Sequence, residues 1–529
     1  MRKLALAGLA VALAACNTDP NKPAYWVDRL TSRSPKQQIE ACNQLRKMKD
    51  LADAPKIEPL LKSENPKVRL AAADALGDLG DKAAVQPLLD AIDFSVGGGS
   101  DPETRTINEA NKAIATALGL IGDHKAVPSE LKLLRSRDMY VKLAAVGALG
   151  RLADPLAVDP LMDIATDDST EPFIAKQAIV ALGAIGDPKA IPAIEKMLFR
   201  ERQGVSFYPQ ASFAAFEIGA PAATPLIALL EGKDKATEKW AEDNNIIPEA
   251  LYAKTAQVLG DVGDPRADKA LIERLHYESP SDLKLLVRAN AAESLGRLRA
   301  KGAAKPIAAM LGEPEANIRD AYGRALVLIG DPSVVPELVK ASQSGSWDAR
   351  EGSIHALSNL AGAKEIPLLQ KIIADEPGRW KKECSDAGNS DDDCKAALAK
   401  HLQVLKGHLS RLEADKECGE SESCWVGKLK DPNGPVRERA AFELGRKGDP
   451  KAIPALLAAL QDDDLLARFA ENAAIGWLVE GSAAGKTQAA AAAARLSQIL
   501  ADDDGKLTYI RIDEDLKRLD ARLEKIARG

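Results

Sequence analysis

Residues 68–81 read VRLAAADALGDLGD, and copies of this stretch recur along almost the whole chain. Taking the closing aspartate or its equivalent as a marker, the copies end at Asp50, Asp81, Asp123, Asp154, Asp187, Ala220, Asp264, Ala300, Asp331, Gly362, Asp449 and Glu480. Most successive intervals are 31 to 36 residues, a period that belongs to stacked supersecondary units. Within the copy, Val68, Ala71, Ala72, Ala75, Leu76 and Leu79 fall at helical spacing and form one apolar stripe. Asn65 and Pro66 ahead of it supply a capping side chain and a first-turn proline, and Gly80-Asp81 behind it supply the stop. A second, shorter apolar segment follows at residues 83–92, and the same order returns as IGDPKAIPAIEKML (185–198), IGDPSVVPELV (329–339) and KGDPKAIPALLAAL (447–460). Each unit is therefore predicted to be a helix pair, which buries its apolar face only by stacking on its neighbours.

Two columns of the repeat stand out. Glycine lies four residues before the closing position at Gly77, Gly119, Gly150, Gly183, Gly260, Gly296, Gly445 and Gly476. A mid-helix glycine costs about 1 kcal/mol relative to alanine, so close approach of a neighbouring helix is expected there. Twelve residues before the closing position the chain is basic at Arg69, Lys142, Arg288, Arg319, Arg350, Arg437 and Arg468, whereas Asn111, Ala175, Tyr208 and Tyr252 interrupt the column.

The pattern VRxxAAxALGxLGDxxAxxPLL resembles the HEAT-like repeat of the bacterial variety related to phycobilin-lyase repeats. The resemblance spans roughly residues 24–480. It implies an all-α solenoid of about twelve helix pairs, in which the basic position and the aspartate pair between neighbouring repeats. The interrupted copies, including those with Tyr208 and Tyr252, are then places where a binding face is specialised.

The N-terminus carries Arg2-Lys3, an apolar run from Leu4 to Ala12, and Leu13-Ala14-Ala15-Cys16. A run this short is an export signal rather than a membrane span. The LAAC tetrad resembles the bacterial lipobox, which implies diacylation of Cys16 and anchoring without crossing. Asn17 stands where the enterobacterial inner-membrane sorting signal has aspartate, so the resemblance implies the outer membrane, facing the periplasm. Loss of Arg2 and Lys3 with the signal takes the net charge from −7 to −9. That balance argues against nucleic acid, and at 4% aromatics the chain offers few stacking platforms for bases or sugars.

The expected organisation is a signal at 1–15, a lipidated tether at 16–24, repeats at 25–376, a cysteine-containing helical insertion at 377–432, repeats at 433–480 and a helical cap at 481–529. The insertion carries Cys384, Cys394, Cys418 and Cys424. In an exported chain these read as two disulfides, with Cys384–Cys394 and Cys418–Cys424 preferred among three pairings. Zinc-module spacing is absent, and NSDDD at 389–393 lacks a calcium-loop pattern. Between the cysteines, Leu398, Leu402, Leu405, Leu409 and Leu412 mark an amphipathic helix. A second insertion, residues 232–248, places Trp240 in a polar setting. A lengthened connection at residues 93–106 reads as a linker, and GSAAGKT at 481–487 is one residue short of a phosphate loop and follows no strand. Nucleotide binding is rejected on that ground.

No motif assembles a nucleophile with a base, and His124, His276, His355, His401 and His408 sit in no catalytic pattern. No cofactor is expected. The sequence points instead to a lipid-anchored scaffold that binds a protein partner in the cell envelope, with Tyr208, Trp240, Tyr252, Trp380 and Trp425 as candidate contacts. A small ligand or glycan held in the groove is the alternative, and the phycobilin-lyase resemblance leaves a third, enzymatic reading.

Overall fold

The computed structural model describes residues 19–95, 101–312, 315–343, 345–481, 486–502 and 512–528. The signal at 1–15 and the anchor Cys16 lie outside the described residues, as do residues 482–485 of the GSAAGKT stretch and part of the 93–106 connection. The described chain is helical almost throughout and forms two compact units, Met1–Ile218 and Gly219–Gly529.

The founding copy shows why these residues make these elements. Its first helix, Pro66–Leu79, starts with the Asn65 side chain accepting from the Lys67 amide and ends at Gly80, whose φ of 75° only glycine adopts freely. Asp81 then opens the next element rather than closing this one. Its carboxylate accepts from the Ala83 amide and starts a single 3₁₀ turn, Lys82–Ala84, which runs into the short helix Val85–Asp90. Asp50, Asp123, Asp154, Asp187, Asp264, Asp331 and Asp449 repeat this cap. The aspartate column is thus the N-cap of the second element in every copy that has it.

The glycine column packs as expected. A Cβ on Gly77, Gly119 or Gly183 would lie 2.7 Å from the backbone of Ala117, Ala148 or Ala214 in the following first helix. Helices stripped to glycine and alanine at these crossings come closer than larger residues permit.

The basic column departs from the resemblance. Arg69, Arg437 and Arg468 donate to the carbonyls of Ser63, Asp431 and Asp462, each six residues earlier, and Arg350 donates to Gly345. These guanidiniums hold the connection that enters their own helix, while the closing aspartates cap the 3₁₀ turns. Asn111 does the same work by another route, donating to the Asp93 carbonyl at 2.8 Å and accepting from the Asp93 amide. Copy-to-copy ion pairs do occur, but at other positions, such as Lys189 to Asp159 and Arg324 to Glu293.

In the first unit one hairpin interrupts the helices, Glu201–Arg202 pairing antiparallel with Val205–Ser206 around Gln203-Gly204, both at positive φ. In the second unit the insertion at 232–248 folds as the helix Lys235–Asp243. The 377–432 segment does not begin at a break, since Pro377 lies inside the continuous helix Ile366–Asp386. It continues as Asp391–Cys418 and Glu422–Lys428. The NSDDD run is a helix start, with Ser390 accepting from the Asp393 amide and three aspartates in the first turn, where the helix dipole favours negative charge.

Candidate functional site

The largest concentration of chemistry lies where the long inserted helix Asp391–Cys418 packs beside Trp347–Leu360 and Gly434–Lys447. Although they are far apart in sequence, the last two touch directly. His355 Nε2 lies 2.8 Å from Glu438, Arg439 donates to the Ser358 carbonyl, and Arg446 donates to the carbonyls of Asn359 and Val327. The inserted helix contributes His408 and Arg411. Arg411 pairs with Glu438 and donates to His408 Nδ1, while His408 Nε2 faces Glu351 at 3.3 Å.

Burial sets the protonation of this cluster. Loss of water around His408 brings its pKa down to about 4, Arg411 adding to the effect. The neutral ring therefore accepts at Nδ1 and donates from Nε2 to Glu351. Burial alone would raise the Glu351 carboxyl, but the hydrogen bond from His408 and the charges of the histidines and Arg411 bring it down to about 2. Glu438 is held still lower, its burial outweighed by Arg411 and His355. Arg446 is buried enough to fall to about 10. A neighbouring layer joins Arg350 to Glu376 and Glu383, with His401 stacked on Trp347 at 3.7 Å between centroids and edge-on to Trp380. The residue types are those of acid–base chemistry, but His408 and Glu438 are 2% and 1% exposed. The cluster works as a polar joint between three helices.

The structure links Cys384 to Cys394 and Cys418 to Cys424, with Cα atoms 5.9 and 5.3 Å apart. The first bond ties the helix Ile366–Asp386 to the start of the long inserted helix, and the second ties the end of that helix to Glu422–Lys428. Cys42 is a free thiol, buried in the first unit and pushed up to about 12 by that burial.

The five aromatic candidates separate. Trp425 is fully buried and donates from Nε1 to the Gly419 carbonyl, so it packs the turn closed by the second disulfide and presents no surface, contrary to the expectation from sequence. Trp380 is half-buried and donates to the Cys394 carbonyl, which commits it to the insertion as well. Tyr252 donates to Glu238 on the inserted helix Lys235–Asp243 and lies under the Arg274 guanidinium at 3.9 Å. Burial first, and then Glu238, raise its pKa to about 12. It replaces the usual arginine by holding the insertion in place. Tyr208, in the first unit, and Trp240, in the second, are both half-buried.

Sequence reading missed a better-exposed pair in the first unit. Tyr140 and Phe173 are each the second residue of successive, mutually packed first helices, Met139–Leu152 and Pro172–Ile185, and are 58% and 38% exposed. Both stand fourteen residues before their closing aspartates, Asp154 and Asp187, and that shared register was the available signal.

A second polar region surrounds the C-terminal helix Ile512–Arg528, which reaches beyond the last repeat. Its Asp515 meets Arg297 at 2.6 Å, and its Arg518 meets Asp261 at 3.0 Å. Arg522 pairs with Glu480. These contacts border a half-open cavity of about 180 Å³ between the helices Pro248–Val262, Lys284–Arg297 and Leu465–Gly481. The cap thus joins copies more than two hundred residues apart.

A family model described as HEAT repeats matches residues 23–95, 108–173, 131–205, 304–384 and 425–511. The chain belongs to the HEAT-repeat family. Among curated proteins it is similar to the bilin biosynthesis protein PecE of Mastigocladus laminosus, 28% identical over 174 residues, or 33% of this chain and 56% of that relative. The chain therefore spans little more than half the length of the relative it matches. Among solved structures, similar chains include that of the Kap95:Nup1 complex, 13% identical with a TM-score of 0.46 over 90% of this chain and 69% of that one. Yeast importin-β (Kap95p) is 14% identical with a TM-score of 0.43 over 91% and 69%. Human deoxyhypusine hydroxylase is 19% identical with a TM-score of 0.23 over 53% and 97%. This HEAT-repeat chain is an α-solenoid scaffold suited to protein interaction.

Proposed function

We propose that this HEAT-repeat protein is a periplasm-facing scaffold, anchored to the outer membrane through lipid on Cys16, that binds a protein partner of an envelope assembly. The observation that carries the reading is the consumption of the repeat's own polar columns. Aspartates cap, arginines hold connections and glycines admit neighbouring helices, so the repeats are spent on building a surface. The surface is where Tyr140 and Phe173 stand exposed at one register, and aromatic side chains are frequent anchors of protein interfaces. Two disulfides in the insertion support an oxidising compartment. Photo-crosslinkers placed at positions 140 and 173 in intact cells should both capture the same envelope protein, and Cys16→Ser should release the chain from membranes. Capture of nothing specific at either position would sink the partner reading, and unchanged fractionation would sink the anchor.

A second reading, handling of a linear tetrapyrrole, rests on the similarity to PecE. It would take over if the purified protein formed a stoichiometric coloured adduct with a bilin.

A further inference from the structure

The turn after the helix Lys284–Arg297 departs from its counterparts. Where Gly80, Gly122, Gly186, Gly263, Gly330 and Gly448 turn the chain at φ between 69 and 80°, the equivalent residue here is Arg299, at φ 53°. L side chains enter that region only at a cost, and a strained residue is a reason to look for a role. Lys49 and Ala153 hold the same conformation in the first unit. Arg299 differs from them in where its side chain goes. Its guanidinium carbon lies 4.5 Å from the centroid of the Trp477 ring, at the cavity beside the C-terminal helix. Among the described residues nothing accepts a hydrogen bond from it.

The glycine column has its own exception at the same place. Gly77, Gly119, Gly150, Gly183, Gly260, Gly296 and Gly445 all meet the next helix, whereas a Cβ on Gly476 would meet nothing within 4 Å among the described residues. Gly476 lines the cavity together with Arg299 and Trp477.

Charge completes the picture. Four arginines and three carboxylates line the cavity. Arg297, Arg518 and Arg522 each hold one of the carboxylates, Asp515, Asp261 and Glu480 respectively. Glu514 also reaches Arg518 but does not line the cavity. Glu480 also acts electrostatically on Arg299 but accepts no hydrogen bond from it, which leaves a guanidinium with its hydrogen-bonding edge open, an aromatic ring and a glycine cradle. A guanidinium matches the two oxygens of a carboxylate. A monoanion suits this setting, because a more highly charged anion would face Asp261, Glu480 and Asp515.

We propose that this cavity binds a small monocarboxylate with a planar apolar body, the carboxylate held by Arg299 and the body seated over Gly476 against Trp477. Full-length protein titrated with benzoate should show saturable one-to-one binding by calorimetry, with a change in tryptophan fluorescence. Neutral benzamide and inorganic phosphate should bind at least about ten-fold more weakly. Arg299→Gly installs the residue that six other copies use, so it should fold normally and weaken benzoate by about ten-fold or more. Gly476→Ala should fold normally and weaken benzoate by filling the cradle. The proposal is overturned by equal benzoate affinity in Arg299→Gly, by benzamide or phosphate binding as well as benzoate, or by no saturation up to about 10 mM.

Discussion

His355 Nε2 stands 2.8 Å from the carboxylate of Glu438, eighty-three residues away in sequence. The contact joins a helix before the insertion to the first helix after it, so the stack resumes with the excursion set alongside. Glu438 also takes Arg411 from the inserted helix and is 1% exposed. One carboxylate therefore fixes three helices.

Glu438→Gln should be among the most damaging single changes in the second unit. It leaves the buried Arg411 without its carboxylate, and removing one partner of a buried pair costs about 3–5 kcal/mol. Denaturant unfolding of the full chain measures the loss. The control is Glu420→Gln, since Glu420 pairs with Lys447 at a fully exposed position, where solvent screens the pair. Equal effects from the two substitutions would refute the joint.

The same cluster should make the second unit acid-sensitive. The folded pKa of His408 lies near 4 against 6.5 for an ordinary histidine. A depressed histidine binds its proton more readily when unfolded, so stability is lost as pH falls from about 6.5 to 4. By pH 5 the loss is roughly 2 kcal/mol. Glu351, depressed from 4.5 to about 2, extends the loss to lower pH with the same sign. Melting temperatures at pH 7 and pH 5 should differ less in His408→Gln than in the parent, and parallel shifts would contradict this origin.

Gly183→Ala and Gly476→Ala make a matched pair. Both remove a mid-helix glycine, which alone favours the variant by about 1 kcal/mol. At Gly183 the new methyl would lie 2.7 Å from Ala214 Cα, and at Gly476 it would meet nothing within 4 Å among the described residues. The first variant should be destabilised by about 1–3 kcal/mol through overpacking, and the second should be neutral or slightly stabilised. Thermal melts decide, and the same sign for both would mean that the glycine column is not a packing column.

Periodicity made the frame legible. The stripe of residues 68–79, the glycine stop and the small residues at helix crossings each follow from a local rule applied many times, and the leucine spacing of 398–412 placed the inserted helix as well. Local rules say nothing about partners far apart in sequence, which is why His355, His408, Arg411 and Glu438 read as unrelated residues and Trp425 read as a surface. The aspartate column was misread for a different reason. A residue that follows a helix stop and precedes a turn serves whichever element lacks a hydrogen-bond partner, and here that is the 3₁₀ turn. Arg299 was visible in principle, being an arginine in a glycine column, but its meaning depends on Trp477 across the cavity.

Reduction of the disulfides should loosen the insertion before the repeats. The loops they close, with sequence separations of 10 and 6 residues, are short, so each bond is worth roughly 2–3 kcal/mol in the chain-entropy account. Hydrogen exchange with and without reductant should show faster exchange within residues 377–432 and unchanged protection across the helices of the first unit. Uniform acceleration would show that the bonds stabilise more than the insertion.

Glu471 offers the reverse case from Glu438. It is fully buried, and among the described residues neither carboxylate oxygen has a hydrogen-bond partner. Burial, reinforced by Asp462, raises its pKa to about 9, despite Arg437 and Arg468 nearby. The folded protein thus carries the neutral acid at pH 7, whereas the unfolded chain ionises near 4.5. Because the unfolded state gives up its proton first, stability should fall as pH rises from about 4.5 to 9. Glu471→Gln keeps the shape and removes the proton, so it should be more stable than the parent at pH 8, by roughly 4–5 kcal/mol. At pH 5 it should be nearly equal. Glu130, buried without a partner among the described residues and also raised by burial, should behave alike as Glu130→Gln in the first unit. Unfolding curves at the two pH values test both, and variants whose stability tracks the parent across that range would show that these carboxyls ionise in the fold.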